Sequence, residues 1–314
     1  MYMAVSPRLI FDAPNQQAVP VRSVQVRRSR SWPVGCAELL LGPGLQAPEL
    51  GAACRLHWDQ QMAEQSVLTG VVACVQLNSQ STRLLIREPA QALAVARHQT
   101  TWWDQSTGGL ITALASEHGV AQQTVAGPTL RRYVQDCSAS DLDHACRLAT
   151  NAGLFLYSDQ EGTLILADPD MLMPGAVILD QRRPLRSCTR HQGGEQQQWL
   201  VRGVGCHGSS GLEAAQRITR NPPQAGSWGQ QRRLESGSLT VAAEVTLAQD
   251  RLQRQQALSW LDCDVAEAVA VDVGTVLTVA DLCGYSGLAR VDRLDISYDG
   301  NGLSTRLRCV EIGP

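Results

Sequence analysis

The chain contains no lysine. All 27 of its Lys/Arg positions are arginine, and that absence removes two classes of chemistry. A Walker-type phosphate loop needs a lysine against its phosphates, and a Schiff-base enzyme needs an amine. Paired cysteines at metal-ribbon spacing are missing as well. The 10 cysteines form no C-x-x-C, which argues against a zinc ribbon or a thioredoxin-like site. No stretch approaches the ~20 apolar residues of a membrane helix. The start, MYMAVSPRLIFDAPNQQ, has neither the basic region nor the apolar run of a secretory signal. The expected product is therefore made in a cytosol, stays soluble and does not insert into a membrane. An excess of one charge is lacking too. Charged residues are 18% and the net charge is −3, so no broad basic surface marks a specific nucleic-acid binder.

The cysteines, at 36, 54, 74, 137, 146, 188, 206, 263, 283 and 309, mostly fall inside apolar strand patterns such as VVACVQL and RLRCVEI. They read as small buried hydrophobes. Disulfides formed after release from the cell, within or between subunits, are the alternative.

A length of 314 residues suggests about two domains with real cores. Residues 1–97 hold six short apolar or alternating runs: RLIFDA, SVQVRRS, AELLL, ACRLHW, SVLTGVVACVQL and TRLLIREP. Gly/Pro clusters punctuate them, which predicts a barrel or sandwich. Arg22, Arg27, Arg28 and Arg30 read as a solvated strand face, with an acidic neighbour as the alternative. Over 106–118 the spacing of Leu110, Ile111, Leu114 and Ala115 predicts a helix closed by Gly119, with His118 a dipole-favoured residue of its last turn rather than a ligand. Trp102 and Trp103 are candidates for core or interface packing.

Residues 131–168 read as a helix followed by a hairpin. Ser140 is a good N-cap, with Asp143 as a short acidic partner in a capping box. Leu142, Ala145, Cys146 and Ala149 form an apolar face, and Gly153 suits the left-handed position beyond the helix. LFLYS and TLILA flank a polar turn ending in Gly162, the pattern of a hairpin. The stretch 169–262 is less legible: a strand AVILD, the run WLVRGVG, a polar Pro-containing loop, and a weakly amphipathic helix over 247–260. Residues 263–314 return to strands, VAVDV, TVLTVADL, ARVDRLDISY and STRLRCVEI, with a G-N-G turn before the last.

The two β-rich ends resemble each other. ELGAACRLHW, LTGVVACVQL and STRLLIREP run parallel to DVGTVLTVADL, SGLARVDRLDI and STRLRCVEI. The same spacing separates Gly51 from Thr82 and Gly274 from Thr305, while Gly70 and Gly287 break that register. A compensating insertion and deletion is therefore expected between them.

Candidate chemistry is thin. Gly203 to Gly208 match G-x-G-x-x-G after an apolar run, but the apolar strand that should close a dinucleotide-binding unit does not follow. Cys206 with His207, and His144 with Cys146, lack a third ligand and a facing geometry. No carboxylate pair stands out for glycoside hydrolysis. No catalytic, cofactor-binding or metal residue is assigned, and no cofactor.

A tyrosine-bearing strand, S-D-L-D opening a helix, then R-L-A, N-A-G-L-F-L-Y and a hairpin with E-G at its turn resemble one group. It is the baseplate hub proteins of contractile phage tails, including the phage late control D family and the amino-terminal half of the VgrG spike proteins of type VI secretion. A helix ending in H-G, as at His118-Gly119, belongs to the same resemblance. It covers most of the chain and is most specific over 62–168 and 270–314. It implies an α+β, mainly β fold: two related tube-type β-barrel domains with an inserted helix and hairpin region. The expected boundaries are 1–97 for the first barrel, 98–169 for the insertion, and 170–314 for a linking segment and the second barrel.

The resemblance further implies a structural, non-enzymatic hub. It would be a homotrimer around a channel, joining a hexameric tail tube to a trimeric spike in the baseplate of a virion or an extracellular injection particle assembled in a bacterial cytoplasm. Partners would be tail-tube, spike and baseplate wedge proteins, with the tape-measure protein a further candidate. No spike domain follows the second barrel, so the spike is expected to be another polypeptide. The competing readings are a tail-associated peptidoglycan hydrolase and an unrelated cytosolic enzyme or binding module.

Overall fold

The computed structural model describes residues 6–11, 18–43, 48–59, 66–172, 174–193, 198–203, 231–236, 247–248, 250–251, 259–267, 269 and 271–313. The six apolar runs of the first part are six strands: β1 (Ser6–Phe11), β2 (Ala18–Ser29), β3 (Trp32–Leu41), β4 (Ala53–Asp59), β5 (Ser66–Leu77) and β6 (Thr82–Arg87). Alternation sets their faces. In β6, Leu84 and Ile86 point into the core while Arg83 is exposed, as a period of two requires. The strands pair in the order β1-β4-β5-β6-β3-β2, and β2 returns to β1. The sheet closes on itself, which removes its exposed edges.

A second set of six strands repeats that order. They are β12 (Pro174–Asp180), β13 (Leu185–Gln192), β16 (Ser259–Val265), β17 (Val276–Leu282), β18 (Tyr285–Asp299) and β19 (Gly302–Gly313), paired β12-β17-β18-β19-β16-β13. Relabelling each set by chain order gives the same sequence of neighbours. The exception in direction is β12–β17, parallel where β1–β4 is antiparallel.

The repeat extends to single hydrogen bonds. Gly51 N–H donates to the Val72 carbonyl at 2.8 Å, and Val72 N–H to that of Ala52 at 3.0 Å. Gly274 N–H donates to Val291 at 2.8 Å, and Val291 N–H to Thr275 at 2.9 Å. Each β5-like strand then bulges at the same place, between Val72 and Cys74 against β6 and between Val291 and Arg293 against β19. Gly70 and Gly287 are not equivalent, so the shift in glycine spacing reflects a shorter connection into β18.

Strand β18 belongs to both halves. Its first part pairs with β17, its last part pairs with β2 from Arg293↔Ser29 to Tyr298↔Val24, and β19 lies along its other side. One apolar core accordingly runs through both barrels, from Leu9, Leu39 and Leu84 to Leu261, Val291 and Leu307. A second core lies in the insertion. There a short α1 (Gln91–Val95), β7 (Thr100–Ser106), α2 (Thr107–Glu117), β8 (Gln122–Thr124), β9 (Thr129–Gln135), α3 (Asp141–Asn151), β10 (Phe155–Ser158) and β11 (Leu164–Ala167) follow in order.

The capping expectations hold. Ser106 caps α2, and Ser140 with Asp143 forms a full capping box on α3. Gly119 and Gly153 take left-handed backbone beyond the two helices. Leu110, Ile111, Leu114, Leu142, Ala145 and Ala149 are buried.

Three expectations fail. The described residues of VAVDV are not in a strand: Val269, Val271 and Val273 are buried without joining a ladder. The predicted helix over 247–260 is helical at its described start, but Ser259 and Trp260 already belong to β16, where Trp260 pairs with Val310 and His191. The strand ladder decides there over a weak amphipathic pattern. Third, the arginine cluster is not simply a solvated face. Arg28 follows Val24 and Val26 on the inward side of β2 and is 4% exposed. Among the described residues no helix is long and apolar enough to cross a membrane.

Candidate functional site

Among the described residues, two polar clusters and one thiol pair each bring distant segments together. The first cluster sits where both barrels meet the hairpin. The Arg28 Nε is 2.8 Å from Glu88 Oε1, its Nη1 donates to Asp272 Oδ1 at 3.0 Å, and its Nη2 donates to the Asp159 carbonyl at 3.2 Å. One side chain therefore ties the end of the first barrel, the hairpin turn and the loop into β17. Glu88 also accepts the Gly35 N–H at 2.6 Å. Burial works to lower the Arg28 guanidinium, but Asp272 and Glu88 outweigh it and hold it above its ordinary value. Burial pushes Glu88 and Asp272 up against the pull of Arg28, because two buried carboxyls share a single guanidinium.

Beside it, the bulge in β18 frees Asp292 from the β19 ladder. Its two oxygens accept from Arg30 Nε at 3.1 Å and Arg290 Nε at 2.8 Å. Both guanidiniums lie over the buried Phe155 ring of β10, that of Arg30 at 4.8 Å and that of Arg290 at 4.2 Å from its centre. The hairpin is thus gripped by one arginine from each barrel, by charge–quadrupole attraction on top of burial.

The second cluster joins helix ends in the insertion. Asp141, the first residue of α3, is fully buried and accepts at Oδ2 from His98 Nδ1 at 2.7 Å and His118 Nε2 at 2.8 Å. Its Oδ1 accepts from Gln135 Nε2 at 2.6 Å and from the His98 backbone N–H at 3.3 Å. Burial alone would push Asp141 up, yet the hydrogen bonds from His118 and His98 hold it below the usual carboxylate range. The hydrogen bond to Asp141 raises His98. His118 thus does more than favour a helix dipole, and its partners lie on α3 and beyond α1, too far along the chain for spacing to reveal.

The third group is thiol. Cys188 and Cys263 face each other across β13 and β16 with sulfurs 3.1 Å apart, and Cys283 Sγ donates to the Cys188 carbonyl. Burial pushes both the Cys188 and the Cys263 thiols up. Among the described cysteines, Cys54, Cys263 and Cys309 are buried, while Cys74, Cys137 and Cys283 are exposed. The reading of small buried hydrophobes therefore fits part of the set.

The other sequence candidates are not brought together. His144 is buried between the Tyr133 hydroxyl at 2.7 Å and the Asp136 carbonyl at 2.9 Å. Cys146 packs toward the insertion core, its thiol pushed up to about 12 by burial. Trp102 is half-buried and donates to Gln135, while Trp103 is 59% exposed under Arg132. Cys206, His207 and all of the G-x-G-x-x-G motif after Gly203 lie outside the described residues. The strand before the motif, β14 (Gln198–Gly203), pairs in parallel with β15 (Gln231–Ser236). That strand, QRRLES, is not the apolar one a dinucleotide unit uses.

Comparison with known families matches residues 45–209 to the phage tail baseplate hub (GPD) family. Comparison with curated proteins finds no match. Among solved structures, the chain is similar to the 43 kDa tail protein of prophage MuSo2 from Shewanella oneidensis. The TM-score is 0.74 at 12% identity, covering 98% of each chain. A tail protein from Neisseria meningitidis gives 0.72 at 15% identity, covering 98% of this chain and 97% of that one. A component of the E. coli type VI secretion system gives 0.65 at 10% identity, covering 97% and 77%. At such identities the likeness is one of fold.

Proposed function

Because the chain belongs to the phage tail baseplate hub family, we propose that it acts as a structural adaptor, a homotrimer that joins a hexameric tail tube to a trimeric spike around a central channel. The observation that carries this reading is the duplication: two six-stranded sets with one strand order in a single chain, fused along β18. Three copies of such a chain present six related barrels with three-fold symmetry, so one face can meet a six-fold ring and the other a trimer. A role of this kind needs the two barrels held at a fixed angle. Shared strand pairing, one continuous core and the Arg28 cluster support that rigidity.

In this reading the units are 1–97, 98–169 and 170–314. Spike, tube, wedge and tape-measure proteins are its neighbours in a phage baseplate or a related injection particle assembled in the bacterial cytoplasm. The protein performs no catalysis. Co-expression with a candidate spike chain tests the proposal. A stable complex with three copies of each chain is the expected product; a spike that purifies alone as a trimer, with this chain monomeric, would contradict it.

A further inference from the structure

We infer that His98, His118 and Asp141 form a binding site for one divalent transition-metal ion, with zinc the best match. The inference goes beyond the hub reading and does not depend on it. One donor atom from each residue lies within 4.8 Å of the other two. Both imidazole nitrogens already contact Asp141 Oδ2, at 2.7 and 2.8 Å. Ligands at zinc–nitrogen and zinc–oxygen bonds of about 2.0–2.2 Å stand roughly 3 Å from one another. The 4.8 Å bound falls on the two ring nitrogens, so an ion enters by drawing them together by up to roughly 1.5 Å, a rotation of the half-exposed His98 ring rather than a rebuilt backbone.

The shell around these atoms is that of a held ligand set. Gln135 Nε2 and the His98 backbone N–H occupy Asp141 Oδ1, which fixes the carboxylate and leaves Oδ2 for the ion; such outer hydrogen bonds orient metal ligands. Access is present. Asp141 is fully buried and His118 is 16% exposed, but the His98 side chain is 41% exposed and opens the cluster to solvent, leaving a coordination position for water. Glu117 stands 4.0 Å from the outer nitrogen of His98.

The donor set selects the ion. Two neutral imidazoles and one carboxylate suit zinc and its neighbours, whereas magnesium and calcium seek oxygen ligands. Protons balance without an external base. Each neutral imidazole moves its ring proton from the nitrogen facing Asp141 to its other nitrogen, exchanged through solvent, and the freed lone pair takes the metal. The bound ion would tie together three segments, the residues after α1, the end of α2 and the start of α3.

The experiment is calorimetric titration of metal-freed, full-length protein with zinc chloride, in parallel with His98→Ala and His118→Gln. One ion per chain in the parent, bound at least tenfold more weakly in each variant and not replaced by magnesium, is the expected result. No zinc binding by the parent, or binding of equal stoichiometry and affinity in both variants, would overturn the inference and, in the second case, assign the ion to thiols elsewhere. Cobalt in the unmodified protein gives a second reading that no variant's folding can confuse. An absorption spectrum of nitrogen and oxygen ligands supports the site, and a thiolate charge-transfer band contradicts it.

Discussion

The guanidinium of Arg290 lies 4.2 Å from the centre of the Phe155 ring, and this contact holds the hairpin of the insertion against the second barrel. Arg30 covers the same ring from the first barrel, and Asp292 pairs with both arginines. Truncating Phe155 to Ala removes a fully buried aromatic at the joint. A loss of about 3–5 kcal/mol is expected, read from urea denaturation at matched protein concentration. Phe155→Leu should retain most of the burial and forfeit mainly the ring contact, about 1 kcal/mol. A Phe155→Leu variant as stable as the parent would show that the arginines contribute nothing through the ring.

The duplicated glycines give a paired test of the repeat. Gly51 and Gly274 both take left-handed backbone, with φ of 82° and 86°. At Gly51 an added methyl meets nothing within 4 Å, whereas at Gly274 it would come 2.7 Å from the Tyr157 ring. Gly51→Ala should cost about 1 kcal/mol, for backbone alone. Gly274→Ala should cost roughly a further 1–3 kcal/mol for the clash. Thermal melts of both variants check the order.

Arg28 offers a charge test with a defined pH sign. Replacing it by Met leaves Glu88 and Asp272 buried without their cation, for a loss of about 3–5 kcal/mol near neutrality. Burial already raises both carboxyls in the folded state. A group with a raised folded pKa contributes stability that is complete below its unfolded pKa and is lost as the pH rises through its folded one. Without Arg28 that rise is larger. The deficit of Arg28→Met relative to the parent should therefore shrink as the pH is lowered from neutral toward the ordinary carboxylate range. A deficit that stays constant over that range would mean that the lost stability is packing, not charge.

Thiol chemistry should follow burial. In the isolated chain Cys74, Cys137 and Cys283 are exposed, and Cys54, Cys263 and Cys309 are buried. Burial keeps Cys263 and Cys309 far from their thiolate forms, and the thiolate is the reactive species. Timed alkylation with peptide mapping should label the first three quickly and the last three only on unfolding. Early labelling of Cys309 would contradict the packing of β19.

Much of the local structure was legible because local physics decides it. The six first-half strands, the capping box at Ser140, the left-handed Gly153 and the G-N-G turn are set by alternation and by backbone preference. Even Arg28 left a trace, since Val24, Val26 and Arg28 share a period of two. What stayed hidden depends on long-range pairing. VAVDV has a strand's pattern, but Asp272 turns toward Arg28 instead of joining a ladder. The residues at 259–260 join β16 although the preceding pattern is helical. His98, His118 and Asp141 lie on three segments, each with a bland local reading, and only the packing of α2 against α3 brings them together.

The central claim is that two related barrels in one chain build a three-fold ring between a tube and a spike. Electron imaging of the purified protein, alone and with the spike chain, tests it most directly. The account predicts three-fold particles with an open centre and six related barrels around it. Compact monomers in both samples, at concentrations high enough for assembly, would contradict it.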